Sequence, residues 1–431
     1  MLTAKYMRDN EEAIRKSLAQ RHSDYQLDEL LQLDANSRKQ GAELQKLKEE
    51  RNRGSEQIAE AKKTGSEPDR ALIEKLAGVK SEIEVTEARM SMDALRLEQL
   101  VWNMPNILHE SVPYGKDETG NVERKRWGDT SKTLEHGHGD ILESMGLIDI
   151  ARAAKVSGAR FHYIKGDLVL MGQALMNFAL EELSKKGFTP VMTPHMIKRS
   201  YYKGVTGMGD FESALYLATK PKEGAEEEEA GDEDLFLIAT SEHPIAAMHA
   251  DEVFSAKELP LKYAGISQCF RREAGSHGKD TKGIFRVHQF EKVEQFVFAR
   301  QEDSWRIYEE LAANEEELLQ KLGLPYHRID ICTGDIGVVA AAKTDMEAWF
   351  PSQRKYREVT SCSNCTDWQS VRLNIRYDEK GERRYVHTLN ATAIAMQRTL
   401  AAIAENYYNG DGTITVPEAL VRYMGKDRIG R

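Results

Sequence analysis

Two neighbouring stretches of the chain hold side chains suited to handling a charged nucleotide. Arg271, Arg272 and Glu273 end a run of strand character, Leu261 to Glu273, and a second run, Ile284 to Phe298, follows a Gly-, Ser- and Lys-rich connection, as in an antiparallel hairpin. Period-two alternation along the second run sets Arg286, His288, Phe290, Lys292 and Glu294 on one face, with Val287, Val293 and Val297 on the other. A strand face that meets a core should be apolar, so a cation, a ring and a carboxylate in one row need a reason. Guanidinium forks bind phosphate oxygens in pairs, a ring stacks on a purine, and a carboxylate holds an ammonium or hydroxyl group. ATP together with an amino acid would use all three. A salt-laced solvent face on an edge hairpin is the other reading these residues leave open.

At 431 residues the chain exceeds the usual size of one core, which points to two or three domains. Charged residues make up 30% and apolar residues 40%, the balance of a soluble globular protein. A net charge of -10 argues against a generally basic surface, so any polyanion must meet a local patch. Met1 to Arg21 has no apolar signal core, and no later stretch approaches the roughly 20 apolar residues of a membrane span, so a cytoplasmic protein without membrane contact is expected. Four cysteines provide no disulfide framework. Cys362 and Cys365 form one C-x-x-C pair, Cys269 and Cys332 stand alone, and no second pair completes a tetrahedral zinc site; the thiols read as structural or incidental.

Asp9 and Asn10 can cap a short helix through about Gln20, and a long helical stretch runs from Leu27 to Val101 with one break, Gly65 to Asp69, where Gly65 caps and Pro68 starts the next helix. In the second half Leu72, Leu76, Val79, Ile83, Met90, Ala94, Leu97 and Val101 recur at three- and four-residue steps, with Thr86 filling one position, as a coiled-coil seam. Leu30, Leu44, Leu47, Ile58 and Ala61 suit the facing helix of an antiparallel hairpin. Each arm would reach roughly 50 Å. Between Arg38 and Lys63 eight basic residues stand against five acids, a local excess that suits a phosphate backbone or, equally, a solvated helix surface.

Trp102 to Thr130 is rich in Pro, Gly and Asn and reads as a linker. Beyond it a helix runs from Asp167 through Leu183 to Gly187, Phe188 to Pro194 is extended, and Lys222 to Asp234, with eight acids, is a disordered surface loop. Ser304 to Lys321 is an amphipathic helix, and a strand Tyr385 to Asn390 runs into a helix Ala391 to Asn406. Long antiparallel strands with appended helices make an α+β sheet domain, preceded by the helical arm. The expected organisation is an N-terminal domain over residues 1–104, a linker over 105–132 and a catalytic domain over 133–431.

Phe270-Arg271-Arg272-Glu273-Ala274-Gly275-Ser276, followed by Asp280-Thr281-Lys282-Gly283 and Arg286-Val287-His288-Gln289-Phe290, resembles motif 2 of the class II aminoacyl-tRNA synthetases, in the form seen in seryl-tRNA synthetases. Gly187 to Pro194 resembles their motif 1, which implies a homodimer, and His387-Thr388-Leu389-Asn390 through Arg398 resembles motif 3. Many bacterial members carry glycines through motif 3, whereas this chain reads Ala391-Thr392-Ala393-Ile394-Ala395; with Ser361 to Asp367 this is similar to the archaeal and eukaryotic branch of the non-zinc type.

The resemblance implies serine activation by ATP with Mg²⁺ and no zinc, then transfer to tRNA(Ser), and to tRNA(Sec) where present, gripped by the helical arm. It implies catalytic roles for Arg271, Glu358 and Arg398, with Arg271 on the ATP α-phosphate and substrate carboxylate and Arg398 on the γ-phosphate. Thr240, Ser241, Glu242, Arg271, Glu294, Asn390 and Thr392 would bind L-serine, Glu242 receiving its ammonium group. Arg271, Arg272, Glu273, Arg286, Val287, Phe290, Glu358, Val359, Thr360, Ser361 and Arg398 would bind ATP, Phe290 stacking on adenine and Val287 acting through its backbone, with Mg²⁺ on Glu358 and Ser361. A ligase that loads a carrier protein, and a tRNA-binding module with a decayed active site, are the competing readings; the complete arm argues against the first and the joint presence of Arg271, Glu294, Glu358 and Arg398 against the second.

Overall fold

The computed structural model describes residues 3–67, 69–207, 212–218, 231–273 and 282–430. Pro68, most of the acidic stretch after Lys222, and the motif 2 residues Ala274, Gly275, Ser276, Asp280 and Thr281 lie outside the described residues. The chain divides into two units, Met1–Ala19 with Ser23–Met104, and Gln20–His22 with Pro105–Arg431.

In the first unit, α1 (Ala4–Asp9) is capped by Thr3, whose hydroxyl accepts from the Tyr6 N–H. The short helix expected after Asp9 and Asn10 is α2 (Glu11–Gln20); Asn10, which also closes α1, stands directly before it and accepts from the Ile14 N–H through its carbonyl at 3.1 Å. The two long helices are α3 (Leu27–Lys63) and α4 (Arg70–Asn103), the latter capped by Asp69, which accepts from the Ala71 N–H at 3.0 Å. They run antiparallel, joined by ion pairs of Arg96 with Glu29, Lys48 with Glu87 and Lys75 with Glu50. Along α4 the inward positions are Leu72, Leu76, Val79, Ile83, Thr86, Met90, Asp93, Leu97 and Leu100. Steps of four and three alternate without interruption, the heptad that under-winds two helices about each other. Asp93 therefore occupies the seam position expected of Ala94, held there by a 3.0 Å hydrogen bond from Gln40, and Leu100 is buried more deeply than Val101.

The second unit is built on an eight-stranded sheet. Its strands in chain order are β1 (Val122–Trp127), β2 (Thr189–Met192), β3 (Leu261–Phe270), β4 (Gln289–Ala299), β5 (Tyr326–Asp330), β6 (Ala342–Phe350), β7 (Lys355–Thr366) and β8 (His387–Ala395). Their spatial order is β1-β5-β6-β7-β8-β4-β3-β2, antiparallel except that β2 runs parallel to β3. Helices α5 (Asp167–Lys185), α7 (Ser304–Lys321) and α9 (Met396–Asn406) cover one face with the larger core, which takes Val293, Val297 and Ala299 from β4. On the other face Phe296 and Phe298 enter a second cluster with Tyr202, Ile245 and Tyr377, beside the short helices α6 (Glu242–Ala247) and α8 (Trp368–Arg372). The middle of that second face stays polar.

Three sequence expectations change. The second hairpin strand begins at Gln289 rather than Ile284, so Arg286, Val287 and His288 precede it. Gly283 takes φ +81° against His138, where a Cβ would come within 2.3 Å of Nε2, and Ile284 and Phe285 are buried there as a bend. Ala391 to Ala395 is strand, with the helix starting at Met396. Pairing with β4 along Ala391, Thr392, Ile394 and Ala395, joined at Ala391 by β7 on the other side, overrides the helical preference of its alanines. Finally, the stretch read as a linker contains β1, an edge strand paired with β5. Its Glu-Arg-Lys-Arg sequence is what an exposed edge tolerates, and only Trp127 turns inward.

Candidate active site

Strand register gathers the polar side chains. On β4, Phe290, Lys292 and Glu294 share a face; opposite Glu294 stands Thr392 on β8, opposite Asn390 stands Ser363 on β7, and opposite Ser361 stands Asp345 on β6. A bulge at Ala393 and another at Val359 interrupt the alternation. The Val359 bulge brings Glu358 and Ser361, three residues apart, to the same side, a re-aiming that an uninterrupted strand forbids. Across from Glu294, Gly265 on β3 leaves the space in which Ser241 and Ile245 sit; a Cβ there would meet them at 2.7 and 2.5 Å. The Thr240-Ser241-Glu242 turn thus lies directly on the sheet, with the Ser241 hydroxyl donating to the Gly265 carbonyl at 3.2 Å.

At one end of the row four contacts to two carboxylates, Glu294 and Glu242, form a small polar chamber. Lys292 pairs with Glu294, and Thr392 donates to the same Glu294 oxygen at 3.2 Å. Glu242 accepts from Gln369 at 2.8 Å and from Asn390 at 3.1 Å, both on Oε1. Loss of solvent and the nearby Glu294 charge push the Glu242 carboxyl up to about 7, against the pull of Lys292, the Gln369 hydrogen bond and Arg271. Behind the turn, His243 is buried and bonds Tyr202 through Nδ1 at 2.9 Å; burial and the cations Lys292 and Arg271 push it down to about 3, so it is neutral.

At the other end the Arg271 guanidinium lies 5.2 Å from the centroid of the Phe290 ring, and its Nε donates to the Ala239 carbonyl at 3.4 Å. Arg398 donates to Glu358 at 3.0 Å and rests over Phe285. Desolvation would raise the Glu358 carboxyl, but Arg398, Lys343 and Arg271 outweigh it and hold Glu358 down to about 2. Glu358 is therefore ionised, on the same side of β7 as Ser361, whose hydroxyl bonds Asp345: hard oxygen donors, which fit Mg²⁺ bound mainly through phosphates and water. Arg286 pairs with Glu273 at 2.6 Å.

Not every expected residue faces this row. Arg272 is exposed, and its charge acts on His288 and Tyr216 instead. Val359 and Thr360 turn to the helix-covered face, Thr360 toward Glu315, so only their backbones remain near the row. Cys362 donates to the Tyr308 carbonyl on that same helix side, whereas Cys365 meets Asn390; their sulfurs lie on opposite sides of the sheet and cannot share a metal ion. Conversely, Gln369, Lys343 and Asp345 join the site although nothing in their spacing marks them. Lys292 was visible in the alternation, but a lysine there carries no sign that it will be buried.

The polar face of this antiparallel sheet, with two arginines, a ring and three carboxylates aligned across it, has the organisation of a class II aminoacyl-tRNA synthetase core. A family model described as the tRNA synthetase class II core domain (G, H, P, S and T) matches residues 225–407, and the seryl-tRNA synthetase N-terminal domain matches residues 1–108. Serine--tRNA ligase of Methanoregula boonei is 48% identical over 433 residues, 98% of this chain and 99% of that one, and the Pyrococcus abyssi enzyme is 46% identical over 456 residues, 100% and 97%. The crystal structure of seryl-tRNA synthetase from Pyrococcus horikoshii complexed with ATP aligns at TM-score 0.90 and 44% identity, covering 100% of this chain and 99% of the other. Cytoplasmic serine-tRNA ligase from Naegleria fowleri in complex with AMP aligns at 0.86 and 35%, covering 100% and 98%. The chain belongs to the seryl-tRNA synthetase family.

Proposed function

We propose that the protein activates L-serine with ATP and transfers it to tRNA(Ser), and to tRNA(Sec) where that is present. The observation that carries this reading is the single polar row in which a chamber for a small amino acid, at Glu242, Glu294 and Thr392, adjoins the anion-binding pair Arg271 and Arg398.

The serine ammonium group sits against Glu242, its hydroxyl against Glu294 and Thr392, and its carboxylate against Arg271. Adenine stacks on Phe290 while Arg271 and Arg398 neutralise the phosphates. The serine carboxylate then attacks the α-phosphorus and pyrophosphate leaves; the terminal tRNA hydroxyl next attacks the seryl carbonyl of the adenylate, forming the ester as the anhydride bond breaks and AMP leaves. The chain supplies no nucleophile; positioning and preorganised charge lower the barrier. Glu358 and Ser361 would hold Mg²⁺, which adds Lewis-acid neutralisation of the phosphates when bound. Alanine is rejected because it would leave buried hydrogen-bonding groups of the chamber unpaired.

Residues 1–104 form the tRNA-binding domain. Arg38, Lys39, Lys46, Arg51, Arg53, Lys62 and Lys63 are exposed on α3, a local positive surface on an acidic chain. Homodimerisation uses the motif 1 region, where Met192 and Met196 are exposed near edge strand β2 and α5 exposes Val169 and Leu170. Among the described residues no helix is long and apolar enough to cross a membrane, and the cytoplasm is the expected compartment. The test is pyrophosphate exchange over a panel of amino acids: serine alone should support strong exchange, and equal exchange with threonine or alanine would defeat the assignment.

A further inference from the structure

The Glu242 carboxylate is asymmetric. Its Oε1 accepts from two amide groups, Gln369 at 2.8 Å and Asn390 at 3.1 Å, while its Oε2 carries no hydrogen bond among the described residues. Gln369 is wholly buried on α8, a helix that itself carries none of the recognised motifs. Its Nε2 donates to both Glu242 and the Val205 carbonyl at 2.9 Å, and its Oε1 accepts from the Thr388 hydroxyl at 2.6 Å. A backbone carbonyl can only accept, so Val205 settles which end of the amide faces Glu242. Thr388 then secures the other end, and both N–H groups and the oxygen of Gln369 are committed.

We infer that Gln369 is a positioning residue for amino-acid binding: held by Val205 and Thr388, it saturates one oxygen of Glu242 and thereby presents the other to the substrate ammonium group. Gln369 itself touches no substrate. Together with Asn390 it fixes the rotation of the carboxylate and favours its charged form, since donors to a carboxylate oxygen stabilise the anion. Selection for an α-amino acid over a hydroxy acid of the same shape thus depends on a side chain one layer removed from the ligand. The inference rests on Glu242 as the ammonium receptor.

The test compares Gln369→Met, Glu242→Gln and the double variant in the full-length enzyme, by pyrophosphate exchange and by calorimetric binding of ATP alone. Gln369→Met should raise KM for serine about tenfold or more, the scale of a lost charge-assisted hydrogen bond, with kcat little changed and ATP affinity retained. The double variant should be no worse for serine than Glu242→Gln, because the two act as one unit. Thr388→Val should shift serine KM in the same direction and Thr388→Ser, which keeps the hydroxyl, should leave it near the parent value; Thr388→Val keeps the core volume and carries the test if Gln369→Met does not fold. An unchanged serine KM in Gln369→Met or Thr388→Val, with Glu242→Gln impaired, overturns the positioning role alone. An unchanged serine KM in Glu242→Gln overturns the ammonium-receptor reading beneath it.

Discussion

Lys292 and Glu294, two residues apart on β4, form an ion pair on the floor of the site with only 7% and 2% of their side-chain surfaces exposed. Strand alternation points both to the same side, and Thr392 completes the Glu294 contacts from the neighbouring strand. Two charges so deprived of water persist because each compensates the other, and removing one strands its partner.

Lys292→Met should therefore cost roughly 3 to 5 kcal/mol of stability, the usual penalty for orphaning a buried charge. Thermal unfolding of the variant should show a clearly lowered Tm, and adding Glu294→Gln should recover part of it. A Lys292→Met protein as stable as the parent would show that the pair is dispensable to the fold.

Arg271→Ala should reduce serine-dependent pyrophosphate exchange by at least about 10²-fold, the scale of losing one preorganised charge donor in a transition state. The fold should survive, since the Arg271 side chain contacts a ring and one carbonyl rather than a core. Circular dichroism and exchange kinetics together check this; near-normal exchange would remove Arg271 from the mechanism.

The acid limb of serine use should reflect Glu242. Its carboxyl is raised to about 7 in the free enzyme, so it gains a proton as pH falls through that value and loses the charge that attracts ammonium. Glu294 and Lys292 from β4 and Arg271 from the end of β3 face it, and their net pull is already contained in that position. KM for serine should rise about tenfold per pH unit below about 6.5, while kcat stays flatter because bound serine holds Glu242 ionised. A serine KM independent of pH from 5.5 to 8 would contradict a carboxyl raised by lost solvent and the neighbouring Glu294 charge.

Deleting Leu27 to Val101, or reversing the charges of Arg51, Arg53, Lys62 and Lys63, should leave serine activation largely intact but cripple tRNA charging. Charge reversal should also flatten the salt dependence of tRNA binding, since each lost phosphate contact removes released counterions. Equal survival of both activities would make the arm a structural element only.

Much of this protein is written locally. The heptad of α4, the amphipathic helix Ser304–Lys321 and the polar alternation through Phe290, Lys292 and Glu294 follow from side-chain period, because a helix and a strand each impose one repeat on whatever they bury. Arg271, Glu242 and Arg398 were legible from the motifs they stand in. Other features needed three dimensions. Ala391 to Ala395 has helix-forming alanines and became strand because β4 pairs along it, with β7 joining at Ala391. The bulge at Val359, which aligns Glu358 with Ser361 and turns Thr360 away, depends on register with β6 and leaves no mark in composition. Gln369 is an ordinary residue of a five-residue helix until the fold brings Val205, Thr388 and Glu242 around it from three distant parts of the chain. Periodicity reports what one element buries; which elements meet, and which oxygen a buried amide faces, is decided by long-range packing.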